Sequence, residues 1–515
     1  MLTRTYTLLT VLLVTSLNAT AIPAPLGPMT PKYTSSRIIY RDPTSNIHNG
    51  NLGHDPRSYS HSKHKTDPHH RYSHTVYKRP KLPYHANLDF GDHDEDGPEV
   101  LSSHSGLIPT SKPKRIRGRD MEMNYANAPP PQPVREDYGA PLLWPQNVPL
   151  EEQNLDLLSP PSTDLGKVDN FKWPFALSHN RLTKGGWARQ QNEKQLPIAK
   201  DLAAVNMRLK AGAIREMHWH ATDEWAYVLK GSLRVSVLAP GGKNEGVEYV
   251  ADVNEGDLWY FPADDPRSIQ AKDTLPEGAE FLLIFDAGRF DENDTFLLTD
   301  WFAYVPKDVL AKNFGTYPDT TLFDHIPRRE LYILPSNPPP KDINKDRVVP
   351  NPTDPEYFFT YPLSKVEPVK YLGGTIKIAD SRNFEIAKKI AVAEVCVDVG
   401  GMRELHWHPT QPEWTFILSG KARITLFAAQ SNVATYDFFP GDVAYIPPSF
   451  GHYIENIGDE PLKFLEVLKT DVFQDISLRQ WLAPTPREVV KAHLGFDSEF
   501  IDSFPKEKEK LVAGK

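Results

Sequence analysis

The 515-residue chain has a single cysteine, Cys396, so no intramolecular disulfide can form and core burial must hold the fold. Cys396 lies between Val395 and Val397 in an alternating run, where a small buried core residue is expected. Beyond the N-terminus no apolar segment approaches the roughly 20 residues that cross a bilayer, so no membrane partner is expected. Charge of one sign is also scarce: 58 Lys and Arg against 67 Asp and Glu leave a net −9. That balance favours no nucleic-acid partner and leaves a small anionic substrate open. Proline, by contrast, is abundant at 48 residues, which predicts a long irregular region beside the folded part.

Residues 1–21 read as a secretory signal, with Arg4, an apolar run from Leu8 to Leu17 and a small-residue cleavage site at Ala19-Thr20-Ala21. The product is therefore expected to be exported and extracellular. Residues 22–148 show no sustained periodicity, and ten of the 18 histidines fall between His48 and His104. Such a Pro-, Ser- and His-rich tract cannot bury enough apolar surface to offset its ordering entropy, so disorder is expected. Lys114-Arg115 near its end resembles a dibasic processing site, as a propeptide would carry.

The rest of the chain is organised around a stretch that occurs twice. Arg215-Glu216-Met217-His218-Trp219-His220 returns 188 residues later as Arg403-Glu404-Leu405-His406-Trp407-His408. Each is followed by Glu-Trp, at Glu224-Trp225 and Glu413-Trp414, and then by Gly231 or Gly420. Histidines at i and i+2 of a strand share a face, and a carboxylate one tight turn later can reach the same point. Two neutral imidazoles and a carboxylate make an open metal site suited to Mn, Fe or Zn.

Short alternating runs surround each copy, such as Leu233, Val235 and Val237 in one and Ala422, Ile424 and Leu426 in the other. Each copy closes with a helix: Trp301, Pro306 and Gly315 match Trp481, Pro486 and Gly495. Thr485-Pro486 predicts a capping threonine with proline at the first helical position, and Gly495 marks the stop. The spans are 149–335 for the first copy with an N-terminal arm, 336–362 for a Pro-rich linker, 363–502 for the second copy and 503–515 for a charged tail. The chain is thus a duplicated all-β domain.

The second half of each copy reads Gly256-Asp257-Leu258-Trp259-Tyr260-Phe261-Pro262 through Arg267, and Gly441-Asp442-Val443-Ala444-Tyr445-Ile446-Pro447 through His452. These residues, with the His-x-His stretches, resemble the two signature motifs of the cupin superfamily, and the duplication resembles the bicupins. Leu298-Thr299-Asp300-Trp301 and the lid-like Asp291-Glu292-Asn293-Asp294-Thr295 bring the resemblance closer, to the bicupin oxalate decarboxylases. The resemblance implies two tandem jelly-roll barrels with short C-terminal helices, assembled as a homo-oligomer. It also implies Mn, one or two per chain, and dioxygen as a co-catalyst in converting oxalate to formate and CO2.

Carried over residue by residue, the second barrel's metal ligands are His406, His408, Glu413 and His452. The first barrel matches at His218, His220 and Glu224, but Arg267 stands where the second has His452. Arginine is always charged and has no lone pair to give a metal. Pointing inward, it would pair with Glu224 and leave a pseudo-site without metal. Turned outward toward Asp264 or Asp265, it would leave a two-His, one-carboxylate site.

The resemblance makes Glu292 the proton donor on a lid, places Glu466 as a carboxyl facing the second metal, and gives Arg215 and Arg403 the task of orienting oxalate. Their odd spacing from the histidines requires a bend in the strand. Only the first copy has room for this lid, because the second is three residues shorter between Phe464 and Trp481 than the first between Phe281 and Trp301. Asn293-Asp294-Thr295 is also a glycosylation sequon, expected to be unused because a glycan would obstruct the lid. An oxalate oxidase giving peroxide, and a non-catalytic bicupin binding or storage protein with a degenerate first site, are the alternatives.

Overall fold

A computed structural model describes residues 130–241, 246–329 and 331–514. The signal-like segment 1–21, residues 22–129 of the irregular tract and the dibasic pair Lys114-Arg115 lie outside the described residues. Residues 130–148, expected to lack structure, instead carry a small hairpin, Val134–Arg135 on Tyr138–Gly139, and lead into a helix at Val148–Glu152. Arg135 fastens it by donating to the Ser159 carbonyl at 2.7 Å and pairing with Asp156 at 3.3 Å. No helix among the described residues is long and apolar enough to cross a membrane.

Each copy folds into two antiparallel sheets enclosing an apolar core. In the first barrel one sheet runs Val247–Asn254, Ser232–Ala239, Arg267–Ala271, Ile214–Trp219, Phe296–Leu297. The other contains Leu258–Phe261, Glu224–Lys230, Ala279–Phe285, Ala203–Leu209 and Gly186–Gln191 in that order. The second barrel repeats both orders. Val205, Val235, Ile269 and Phe281 fill the first interior, and Val395, Ile424, Ile454 and Phe464 the second. The alternating runs put one side chain in the core and the next outside, as period-two burial requires.

A third apolar cluster joins the barrels. Trp225, Tyr260 and Leu282 meet Trp414, Tyr445 and Leu465 on the outer faces of the two larger sheets. This explains the repeated Glu-Trp pair: Glu224 and Glu413 turn into their own barrels, while the next residue on each strand turns toward the partner barrel.

The segments leading into the barrels are exchanged. Lys172–Pro174, which precedes the first barrel, pairs with Asp442, Val443 and Ala444 of the second. Thr360–Tyr361, which precedes the second barrel, pairs with Leu258 and Trp259 of the first. The neighbouring phenylalanines follow suit: the Phe171 carbonyl accepts from Tyr445 N at 3.0 Å and the Phe359 carbonyl from Tyr260 N at 2.9 Å. Both are fully buried. Arg234 of the first barrel pairs with Asp252 and with Asp346 of the linker, and Arg423 of the second with Asp437 and with Asp156 of the arm. The linker is therefore a strap on the first barrel.

Three local expectations change. The helix that Thr485-Pro486 introduces spans Arg487–Leu494 with Pro486 at the cap position, and Thr485 donates back to the Trp481 carbonyl at 2.7 Å. Gly495 does end it, in a left-handed conformation at φ 66°. Cys396 is half-buried because it falls on the outward face of its strand, opposite Lys463. The charged tail is part of the second barrel: Leu511–Val512 pairs with Met402 and Arg403, as Ile333–Leu334 pairs with Arg215 and Ile214 in the first.

Candidate metal centres

Each His-x-His pair sits at the end of an inner strand, Ile214–Trp219 or Met402–Trp407, with its second histidine just past the strand, and both pairs point into their barrels. His218, His220 and Glu224 bring ligand atoms within 4.8 Å of one another, and so do His406, His408, Glu413 and His452. All seven are buried.

In the second centre every imidazole is oriented by a backbone carbonyl. Nδ1 of His406 faces the Glu404 oxygen at 2.7 Å, that of His408 the Gln474 oxygen at 2.7 Å, and that of His452 the Phe450 oxygen at 3.0 Å. A proton on each Nδ1 leaves the Nε2 lone pairs directed inward, the tautomer a metal needs. Nε2 of His408 and His452 lie 2.9 and 3.0 Å from Glu413 Oε2. Nε2 of His406 is buried with no partner at all. Such an atom is costly to leave unpaired, and a divalent cation at the centre of the four groups would satisfy it.

Electrostatics agree at His406 and Glu413, while at His452 burial lowers the imidazole but Glu413 outweighs it and raises it above its ordinary value. Burial, reinforced by Arg403, holds His406 well below the ordinary imidazole value, so it is neutral and able to donate. Burial alone would raise Glu413, but His452 and His408 beside it push the carboxyl well below the usual range. The donor set therefore fits the cation.

The first centre departs at one position. Arg267 lies across from His218 in the strand ladder, as His452 lies across from His406. Its guanidinium is fully buried and takes a middle course between the two poses expected. Nε donates to the Asp265 carbonyl at 2.8 Å and Nη2 to the Pro262 carbonyl at 3.1 Å, so it is tied to the loop through backbone oxygens. Nη1 stays inside, 3.6 Å from Glu224 Oε2. The second oxygen of Glu224 accepts from Trp259 Nε1 at 2.9 Å. Two unit charges 4 Å apart repel by about 4 kcal/mol at an effective dielectric of about 20, and a divalent ion doubles the figure. The three donors converge, but the fixed positive charge beside them does not fit a bare cation.

The two arginines face their centres because each strand carries a register shift between arginine and histidine. That irregularity is the bend the odd spacing demanded, and it buries Arg215 and Glu216 in succession. Arg215 lies over the Tyr332 ring at 4.0 Å and donates to the Tyr332 carbonyl at 3.2 Å. Leu283 occupies the position that Glu466 holds in the second barrel. Arg403 instead donates to Glu466 at 2.9 Å and to Asp475 at 2.7 Å. Burial lifts the Glu466 carboxyl above its usual value although Arg403 opposes it.

Glu292 opens a short turn, Glu292–Asp294, capped by Asp291. Its carboxyl accepts from the Tyr332 hydroxyl, and its amide donates to Gln190 Oε1 at 3.0 Å. It lines one cavity with Arg215, His218, His220 and Glu224. Glu216 holds the lid's far end, accepting from the amides of Thr299 at 2.9 Å and Tyr332 at 2.9 Å. Sequence reasoning missed Tyr332, Asp475 and Lys510. Tyr332 and Lys510 occupy equivalent positions, their carbonyls accepting from Glu216 N and Glu404 N. That shared role, visible as a residue just before each paired strand, was the only signal for them.

The chain matches the Cupin family over residues 176–321 and 362–502. It is 50% identical to oxalate decarboxylase OxdC of Bacillus subtilis over 386 residues, 75% of this chain and 97% of that protein. It is 39% identical to a probable oxalate decarboxylase of Arthroderma benhamiae over 392 residues, again 75% of this chain and 94% of the relative. A solved structure of the Bacillus subtilis enzyme, studied for its Mn(II) centres, superposes with a TM-score of 0.70 at 49% identity, covering 75% of this chain and all of that one. Two barrels in tandem, a His-His-Glu constellation in each and this degree of identity place the chain in the bicupin oxalate decarboxylase family.

Proposed function

We propose that this chain is a Mn-dependent oxalate decarboxylase, acting outside the cell after loss of residues 1–21. The observation that carries the reading is the first-barrel cavity, where Arg215, Glu292 and the His218, His220, Glu224 triad line one space. The net reaction takes hydrogen oxalate to formate and CO2: the carbon–carbon bond breaks, and the proton ends on the formate carbon. Dioxygen serves as a co-catalyst that this balance does not consume. Mn, when bound, supplies Lewis acidity and one-electron chemistry.

The protein's own groups do the rest. Arg215 offers a carboxylate charge-assisted hydrogen bonds, its guanidinium steadied over Tyr332. Glu292 holds the proton, and the Tyr332 hydroxyl fixes the carboxyl that delivers it. Closure of the 291–295 segment keeps water from the reacting fragment. Self-association is part of the proposal; the exposed Phe296 and Trp301, beside Trp219, and the exposed Trp481 beside Trp407 offer apolar contact surface.

Formate and peroxide are to be measured on purified protein given Mn and oxalate. Glu292→Gln should lower formate production by about 10²–10⁴-fold, the usual worth of a positioned acid, while metal content holds. Peroxide in place of formate from the unaltered protein would make the enzyme an oxidase. Undiminished formate in the variant would take Glu292 out of the mechanism.

A further inference from the structure

We propose that the first centre takes up a divalent cation only together with a dicarboxylate, and that Arg267 makes the anion obligatory. The inference rests on the reading that oxalate binds in the first barrel. Its starting point is an exchange of one ligand for one fixed cation at the same place in the ladder, Arg267 opposite His218. The guanidinium cannot leave easily, because Nε and Nη2 are spent on the carbonyls of Asp265 and Pro262. Nη1 is buried without a hydrogen-bond partner and lies 3.6 Å from the ligand oxygen of Glu224.

A cation arriving alone therefore meets two guanidiniums, Arg267 and Arg215, with Glu224 already shared with Arg267 and Trp259 and Glu292, the other carboxyl lining the cavity, bonded to Tyr332. The second centre is balanced differently. Glu413 faces imidazoles, and Arg403 is matched by Glu466 and Asp475, so the cation is welcome there by itself. Oxalate dianion corrects both shortages of the first centre. Its two negative charges offset the excess guanidinium charge, and its oxygens can fill coordination positions that an imidazole would have taken. A carboxylate oxygen would also give Nη1 of Arg267 the acceptor it lacks. Metal and substrate then each tighten the binding of the other, as linkage demands.

The test uses the full chain stripped of metal by chelation and titrated anaerobically with Mn, following loss of the free Mn(II) EPR signal, with and without oxalate. Expected is about one Mn per chain without oxalate and about two with it, the second bound at least tenfold more tightly when oxalate is present. Acetate, a monocarboxylate, should not substitute. Arg267→His should bring about two Mn per chain with no anion added. Two Mn in the unaltered protein without oxalate, or one under both conditions, would overturn the proposal. Formate assays on the same samples separate the two readings. Formate made with only one Mn bound would sink this inference and leave the activity standing. Oxalate-dependent uptake without formate would do the reverse.

Discussion

In the first barrel Arg215 lies over an aromatic ring and Leu283 stands at the position of Glu466, whereas in the second Arg403 is clasped by two buried carboxylates. The metal ligands differ as well, three imidazoles and a carboxylate in the second barrel against two imidazoles and a carboxylate in the first, where a guanidinium stands in the place of the third imidazole. One fold thus carries two different settlements of charge. The second barrel's arginine is paired by its own carboxylates, while the first barrel's is held by an aromatic ring and a backbone carbonyl. Duplication preserved the backbone and let the polar interiors diverge, because a jelly-roll core tolerates exchange at inward positions as long as volume and pairing are kept.

The comparison can be broken first at the exchanged segments. Phe171 and Phe359 play the same part in opposite barrels, so Phe171→Ala and Phe359→Ala should each cost about 3–5 kcal/mol, the usual loss for a buried phenylalanine. Chemical denaturation would check this, and a small effect from either would show that its segment merely rests on the partner barrel. A second test moves the second barrel's carboxylate into the first. Leu283→Glu should capture Arg215 and raise the KM for oxalate about tenfold to hundredfold, the worth of a charge-assisted hydrogen bond at ~1.5–3 kcal/mol. An unchanged KM would mean that the arginine's neighbours do not decide where substrate goes.

A third test concerns the arm. Asp156 is pushed up to about 7 from an ordinary 3.8, burial being the main cause and Asp437 the next. Folding therefore favours its protonated form, so this group's contribution to stability declines as pH rises from about 4 to about 7. Asp156→Asn should flatten that part of the melting-temperature profile. A slope identical to that of the unaltered protein would assign the pH dependence to other groups.

Much of this was legible in the chain. Period-two runs and the repeated His-x-His and Glu-Trp pairs carry fold and ligands together, since burial and coordination both need side chains on one face of a strand. The pose of Arg267 was not legible, because it is set by carbonyls at Pro262 and Asp265 whose direction depends on a loop. Asp475 and Lys510 escaped notice because they lie outside the repeated motifs, where Asp475 pairs with Arg403, Lys508 and Lys510. The exchange of Lys172–Pro174 and Thr360–Tyr361 was hidden for a simpler reason. Such short strands have no pattern saying which of two similar edges they will join.

That exchange sets an order of events at the ribosome. The strand at Lys172–Pro174 is made early, yet the edge it completes, at Asp442–Ile446, emerges roughly 270 residues later. The first barrel in turn waits for Thr360–Tyr361 before its own larger sheet is closed. The dependence is one-sided: the first barrel can close once Thr360–Tyr361 is made, whereas Lys172–Pro174 stays without the edge it completes until Asp442–Ala444 of the second barrel has been synthesised.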